Sequence, residues 1–235
     1  MTSSPAPQSL EHTRFAVVDV ETTGTRAQVG GRILEVAVAI VEGGTIHLGF
    51  EALLDPGTRI PLWVTGLTGI TEPMVAGRPR FGDVAAGLGR ALDAAVFVAH
   101  NARFDWRFLA AECAAVGVPA PSGKPLCTVR LTRRLVPELR HRGLDQVAAF
   151  FGVDNPARHR AFGDALATAH ILRALIERAR ERGVETLEEL VDLHDRPRHA
   201  RRRNAEVGTR NSGEGVSARA TLPDYSAFRV PRSDF

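Results

Sequence analysis

The chain has 235 residues, 44% of them hydrophobic and 24% charged, which suits one large folded domain or one and a half small ones. Two cysteines are too few for a disulfide framework or a thiolate metal cage, so a reduced, cytoplasmic setting is expected. No window approaches the roughly 20 uninterrupted apolar residues of a membrane span, and the first dozen residues lack a basic stretch leading into an apolar one, so neither anchoring nor secretion is expected.

The net charge of +3 is unevenly placed. Residues 196–235 hold nine arginines against four acids, a surplus of +5, which leaves −2 for residues 1–195. That last segment is also poor in large apolar residues, so it is expected to be a disordered arginine-rich tail. Residues 1–13 are expected to be a flexible N-terminus, 14–182 the functional domain, and 183–195 a short helical extension.

In chain order, Phe15 to Glu21, Arg32 to Val41 and Thr45 to Leu54 are β-branched, apolar runs. Glu42-Gly43-Gly44 between the second and third is a hairpin signal, so three antiparallel strands are expected to open the fold. Pro56 to Pro79, rich in Pro and Gly, reads as a loop. Phe81 to Asp93 has helical spacing at Val84, Leu88 and Leu92, Ala95 to Ala99 reads as a buried strand, and Phe104 to Val116 as a helix stopped by Gly117. A short strand at Pro125 to Val129 precedes helices at Arg130 to Leu135 and Leu144 to Phe151. A long helix follows from about Phe162 to Arg182, its buried stripe marked by Phe162, Leu166, Ala169, Leu172 and Ile176. Thr186 to His194 is a further amphipathic helix. The fold class is therefore α/β, with three antiparallel strands, then parallel strands, and flanking helices.

Asp19 and Glu21 stand two apart on the first strand, so alternation projects both from one face. Two carboxylates held together are unfavourable unless a cation or a proton lies between them. The strand runs straight into Thr22-Thr23-Gly24, a turn whose amides and hydroxyls suit a phosphate or nucleotide. Asp105 follows a strand-to-helix junction, and Asp164 lies in the first turn of the long helix with His159 five residues before it. Alone, an Asp in a first helical turn only complements the macrodipole. Four carboxylates converging from separate elements are the oxygen donors that Mg²⁺ and Mn²⁺ prefer.

Val17-Val-Asp-Val-Glu-Thr-Thr-Gly24, His100-Asn-Ala-Arg-Phe-Asp105 and His159-Arg-Ala-Phe-Gly-Asp164 resemble the three motifs of the DEDDh 3′-to-5′ exonucleases, the family of the proofreading epsilon subunit of bacterial DNA polymerase III. Leu67 to Met74 is similar to the segment such proteins place between the first two motifs, with Thr68 where some epsilon-like members carry His. The resemblance covers about residues 14 to 180. It implies a ribonuclease H-like fold, with Asp19, Glu21, Asp105 and Asp164 holding two Mg²⁺ ions, Mn²⁺ able to substitute, and His159 as general base. It also implies contacts to the terminal nucleotide from Thr22, Thr23, Gly24, Asn101 and Phe104, the last also readable as a core residue.

The implied substrate is a single-stranded or frayed 3′ end, DNA ahead of RNA, with release of nucleoside monophosphates in proofreading or repair, and a DNA polymerase is an implied partner. An RNA-trimming relative, a polymerase-associated subunit acting mainly by binding, and a binding module with a decayed site are the alternatives. All five acid and histidine positions are filled, which argues against decay. Gln146 to Phe151 loosely suggests a sliding-clamp peptide but falls inside an expected core helix. The tail arginines could contact phosphates without sequence preference.

Overall fold

The computed structural model describes residues 7–197. The arginine-rich tail lies outside them, apart from its first two residues. A five-stranded mixed sheet is built from β1 (Phe15–Thr22), β2 (Ile33–Glu42), β3 (Thr45–Leu53), β4 (Val96–Ala99) and β5 (Leu126–Cys127), in the order β3-β2-β1-β4-β5. The first three strands run antiparallel, and β4 and β5 join parallel to β1. At the β2–β3 turn Gly43 and Gly44 both take positive φ, 55° and 77°, the backbone that the twist of a two-residue hairpin demands.

Between Glu35 and the exposed Glu42 at its end, strand β2 is apolar because both faces are covered. On one face Phe15 and Val17 of β1 and Ala37, Ala39 and Val41 of β2 pack with α5 (Thr128–Leu135), α6 (Leu144–Phe151), α7 (Ala161–Arg180) and α8 (Leu187–Asp195). On the other, Ala16, Val18 and Val20 of β1 pack with α3 (Phe81–Leu92) and α4 (Arg103–Ala115). Helix α7 is buried over most of its circumference, a wider contact than a single stripe, and Phe162 and Leu166 are only half-buried.

Three expectations change. Pro56 to Pro79 contains two helices, α1 (Leu62–Thr68) and α2 (Glu72–Val75), which close a satellite core of Leu34, Ile60, Val64, Ile70 and Val75. Pro61 and Pro73 open those helices and Gly69 closes the first, so residues that read as breakers are caps. Residues 8–13 are not free: the Leu10 N–H donates to the Glu185 carbonyl (3.0 Å), the Leu187 N–H donates to that of Gln8 (2.9 Å), and Leu10 is buried. Helix α8 is likewise no appendage, since Leu190 and Leu193 belong to the main core.

Candidate active site

Alternation along β1 builds the first half of the site. Phe15 and Val17 lie under α7, so Asp19 and Glu21, next on that face, emerge where the apolar cover ends. Asp164, in the first turn of α7, meets them there: one carboxylate oxygen from each of Asp19, Glu21 and Asp164 lies within 4.8 Å of the others. Asp105, in the first turn of α4, is 3% exposed and stands outside that three-oxygen group, although its charge acts on both β1 acids.

All four carboxyls are pushed upward. For Asp19 the causes are desolvation, then repulsion from Asp105, Asp164, Glu21 and Glu35. Glu21 is pushed up to about 8 by desolvation and by Asp164, Glu35 and Asp105, against the Arg160 guanidinium. Burial pushes Asp105 up to about 7, against backbone hydrogen bonds at its own residue and at Val20. Desolvation raises Asp164, opposed by the hydrogen bonds from Asn155 and from the His159 amide. Acids that resist ionising together are what a divalent cation relieves, and an all-oxygen donor set of this spacing fits Mg²⁺ or Mn²⁺.

His159 is held half-buried in a left-handed backbone, φ 58°, with its N–H donating to Asp164 Oδ2 at 3.2 Å. This approach depends on Gly163, where a Cβ would lie 2.2 Å from the Ala157 carbonyl oxygen. Asn155 Nδ2 donates to Asp164 Oδ1 at 2.6 Å, which fixes the carboxylate from the other side. In the Thr22-Thr23-Gly24 turn both hydroxyls serve the turn: Thr22 Oγ1 donates to the Gly24 carbonyl (2.7 Å) and Thr23 Oγ1 accepts from the Arg32 N–H (2.9 Å). Beyond Gly24 the space is open. Asn101 is exposed with φ 69°, its carbonyl accepting from the Phe104 N–H (2.9 Å). Phe104 is half-buried, packed on Phe108 at 4.9 Å and also facing a cavity, so it is both core and wall. Thr68 is turned inward, its hydroxyl donating to the Val64 carbonyl (3.0 Å) and accepting from the Ile70 N–H (3.1 Å).

The exonuclease model of the RNase_T family matches residues 16–172. The chain belongs to that family. It is 39% identical over 198 residues to a Mycobacterium tuberculosis protein named for joint exonuclease and endonuclease activities (80% of this chain, 30% of that protein). It is 34% identical over 177 residues to the 3′-5′ exonuclease DinG of Bacillus subtilis (75% and 19%) and 32% identical over 232 residues to the PolC-type DNA polymerase III of Halalkalibacterium halodurans (95% and 16%). The chain thus spans under a third of the length of these relatives. Among solved structures, exonuclease X in complex with 5′ overhanging duplex DNA is 29% identical at a TM-score of 0.60 (77% of this chain, 99% of that one). The nuclease domain of 3′hExo, a DEDDh family member, shares the fold at 17% identity and a TM-score of 0.61 (76% and 96%). The sheet is accordingly ribonuclease H-like, and the RNase_T exonuclease match spans all three sequence motifs.

Two buried acids escaped the sequence reading. Glu35, 1% exposed, stands opposite Glu21 in the β1–β2 register. It accepts from Arg160 Nε (3.1 Å) and from the Ala161 N–H (2.8 Å), and so caps α7 from a neighbouring strand where the helix has no side-chain cap of its own. Glu112 of α4, 3% exposed, accepts from Arg32 Nε (2.8 Å), from a second Arg32 nitrogen (2.9 Å) and from the Ile33 N–H (3.0 Å). His100, before α4, is fixed between the Thr128 hydroxyl and the Arg142 carbonyl, both at 2.9 Å. A lone acid inside an apolar run, as in Ile33-Leu-Glu-Val36 and Ala111-Glu-Cys113, was the available signal.

Proposed function

We propose that this chain is a metal-dependent 3′-to-5′ exonuclease that removes nucleoside monophosphates from single-stranded or frayed 3′ ends, DNA ahead of RNA. The observation that carries this is the meeting of Asp19, Glu21 and Asp164 within 4.8 Å beside Asp105 and His159, in a chain of an exonuclease family. Asp19, Glu21, Asp105 and Asp164 would hold the cations, two Mg²⁺ or Mn²⁺ ions. When bound, such cations stabilise charge on the phosphodiester and make the attacking water easier to ionise.

The residues of the chain supply the rest. Water attacks the terminal phosphodiester phosphorus, the bond to the 3′ oxygen of the preceding nucleotide breaks with that oxygen taking up a proton from solvent, and the proton of the attacking water passes to the His159 imidazole as general base. The His159 amide is tied to Asp164, so base and cation ligand are placed as one unit. Thr22, Thr23 and Gly24 shape the floor for the terminal nucleotide, and Asn101 and Phe104 its wall. Likeness to exonuclease X with duplex DNA supports a DNA substrate, and the PolC-type likeness supports a polymerase partner.

End-labelled single-stranded DNA, mismatched duplex DNA and RNA of one sequence, digested side by side in Mg²⁺ and in EDTA, test the reading. The expected result is 3′ shortening in Mg²⁺ alone, fastest on single-stranded and mismatched DNA. Faster digestion of RNA would move the assignment to an exoribonuclease, and no metal-dependent digestion would overturn it.

A further inference from the structure

Beside the acid cluster lies a cavity of about 510 Å³ between the β1–β2 connection and α4. Arg26 and Gln28 line it from the connection, and Arg103 and Arg107 from α4. Arg103 and Arg107 are one helical turn apart on the exposed face, while Asp105 between them is turned inward and buried. No acid lines this cavity, and among the described residues none of the three arginines makes an ion pair. Three arginines lining one cavity whose wall holds no acid make a site for anions, the reverse of the acid cluster next door.

The walls are built and fixed. At Gly31 a Cβ would stand 2.7 Å from the Arg26 carbonyl oxygen and 3.1 Å from the Phe108 ring, so only glycine lets the connection close onto α4. The two-pronged Arg32–Glu112 pair, with the Ile33 N–H on the same carboxylate, locks the connection there. The cavity also begins where the acid site ends: Thr25 in its wall follows Gly24, and Asn101 and Phe104 face it.

We propose that this groove binds the sugar-phosphate backbone of the substrate strand behind its terminal nucleotide, with Arg26, Arg103 and Arg107 on successive phosphates and Phe104 available for base stacking. The proposal rests on the exonuclease reading and extends it: the substrate is a strand several nucleotides long, gripped without regard to sequence.

The test compares full-length wild type with Arg103→Ala/Arg107→Ala, and with the corresponding double Lys variant, by fluorescence anisotropy of 5′-labelled oligothymidylates of two and eight nucleotides in Ca²⁺. For the eight-mer, the alanine variant should bind about tenfold more weakly, and its log–log salt dependence should be shallower by roughly 1.4, from two lost phosphate contacts. Binding of the two-mer should change less than twofold, and the lysine variant should recover most of the loss. Equal loss on both lengths, or no loss on the eight-mer, would overturn the proposal. Hydrolysis of the p-nitrophenyl ester of thymidine 5′-monophosphate by the wild type tests the exonuclease reading separately, because that substrate has no further phosphates to reach the groove.

Discussion

Glu35 and Glu112 make the same contact in two places. Each is a buried carboxylate that takes the guanidinium of an arginine and the backbone N–H of the next residue, Arg160 with Ala161 in one case and Arg32 with Ile33 in the other. In both, the arginine is about 40% exposed, so the buried charge is paid into solvent on one side only. The difference is their neighbours. Glu35 lies in the field of the clustered acids and helps to raise Asp19 and Glu21, whereas Glu112 is not among the charges that lead those shifts. One clamp therefore seats α7 at the cost of added repulsion in the site, and the other only fastens the β1–β2 connection to α4.

The largest effects should come from what the Glu35 clamp seats. His159→Ala should lower kcat by roughly 10²–10⁴-fold, and Asp164→Ala by at least about 10³-fold, measured on an end-labelled oligonucleotide. Wild-type rates in either would remove the α7 side from the chemistry. Next, Glu35→Gln should weaken the apparent Mg²⁺ affinity or the activity by about 10–100-fold, as for residues that orient metal ligands. Glu112→Gln should leave Mg²⁺ affinity within about twofold. Equal responses of the two variants in a metal titration would break the comparison.

In stability the two should converge. Each Gln variant should lose about 1–3 kcal/mol in urea unfolding. Gly163→Ala should lose a similar amount by overpacking, about 1–3 kcal/mol, together with activity, since it displaces the loop that carries His159.

A further effect is a pH slope. In EDTA the four acids lie above their unfolded values, Glu21 at about 8 and Asp105 at about 7. At these groups the fold then holds more protons than the unfolded chain, so the stability they contribute is fullest below pH about 4 and is lost as pH rises through 7 to 8. Melting temperatures in EDTA from pH 5 to 8.5 should fall. Mg²⁺ should reverse the trend, Glu35→Gln should flatten it, and Glu112→Gln should leave its slope unchanged. A melting temperature that rises with pH in EDTA would contradict the raised carboxyls.

Much of this site was legible because its signals are local. The two-residue spacing of Asp19 and Glu21 on a strand determines their shared face, and the order of strand, turn and helix around Asp105 and Asp164 places them at element ends. The Gly43-Gly44 hairpin and the mixed sheet follow from the same kind of signal. Helices α1 and α2 were not legible, since Pro61, Gly69 and Pro73 read equally as breakers or as caps until Ile60, Val64 and Ile70 are seen to need a shared core. The pairing of residues 8–13 with residues 185–187 joins segments far apart in the chain, which no local pattern encodes.

By itself, then, the sequence determined the residue types and periodicities: an α/β fold, four acids and a histidine at the ends of their elements, and the family they resemble. Only the tertiary structure decided that three of those acids share one cluster while Asp105 stands apart, that Glu35 and Glu112 hold the site's elements in place, and that Arg26, Arg103 and Arg107 converge on one groove. The physical reason is distance. Buried charge and its compensation depend on contacts between residues about 80 and 125 positions apart, which only the folded chain brings together.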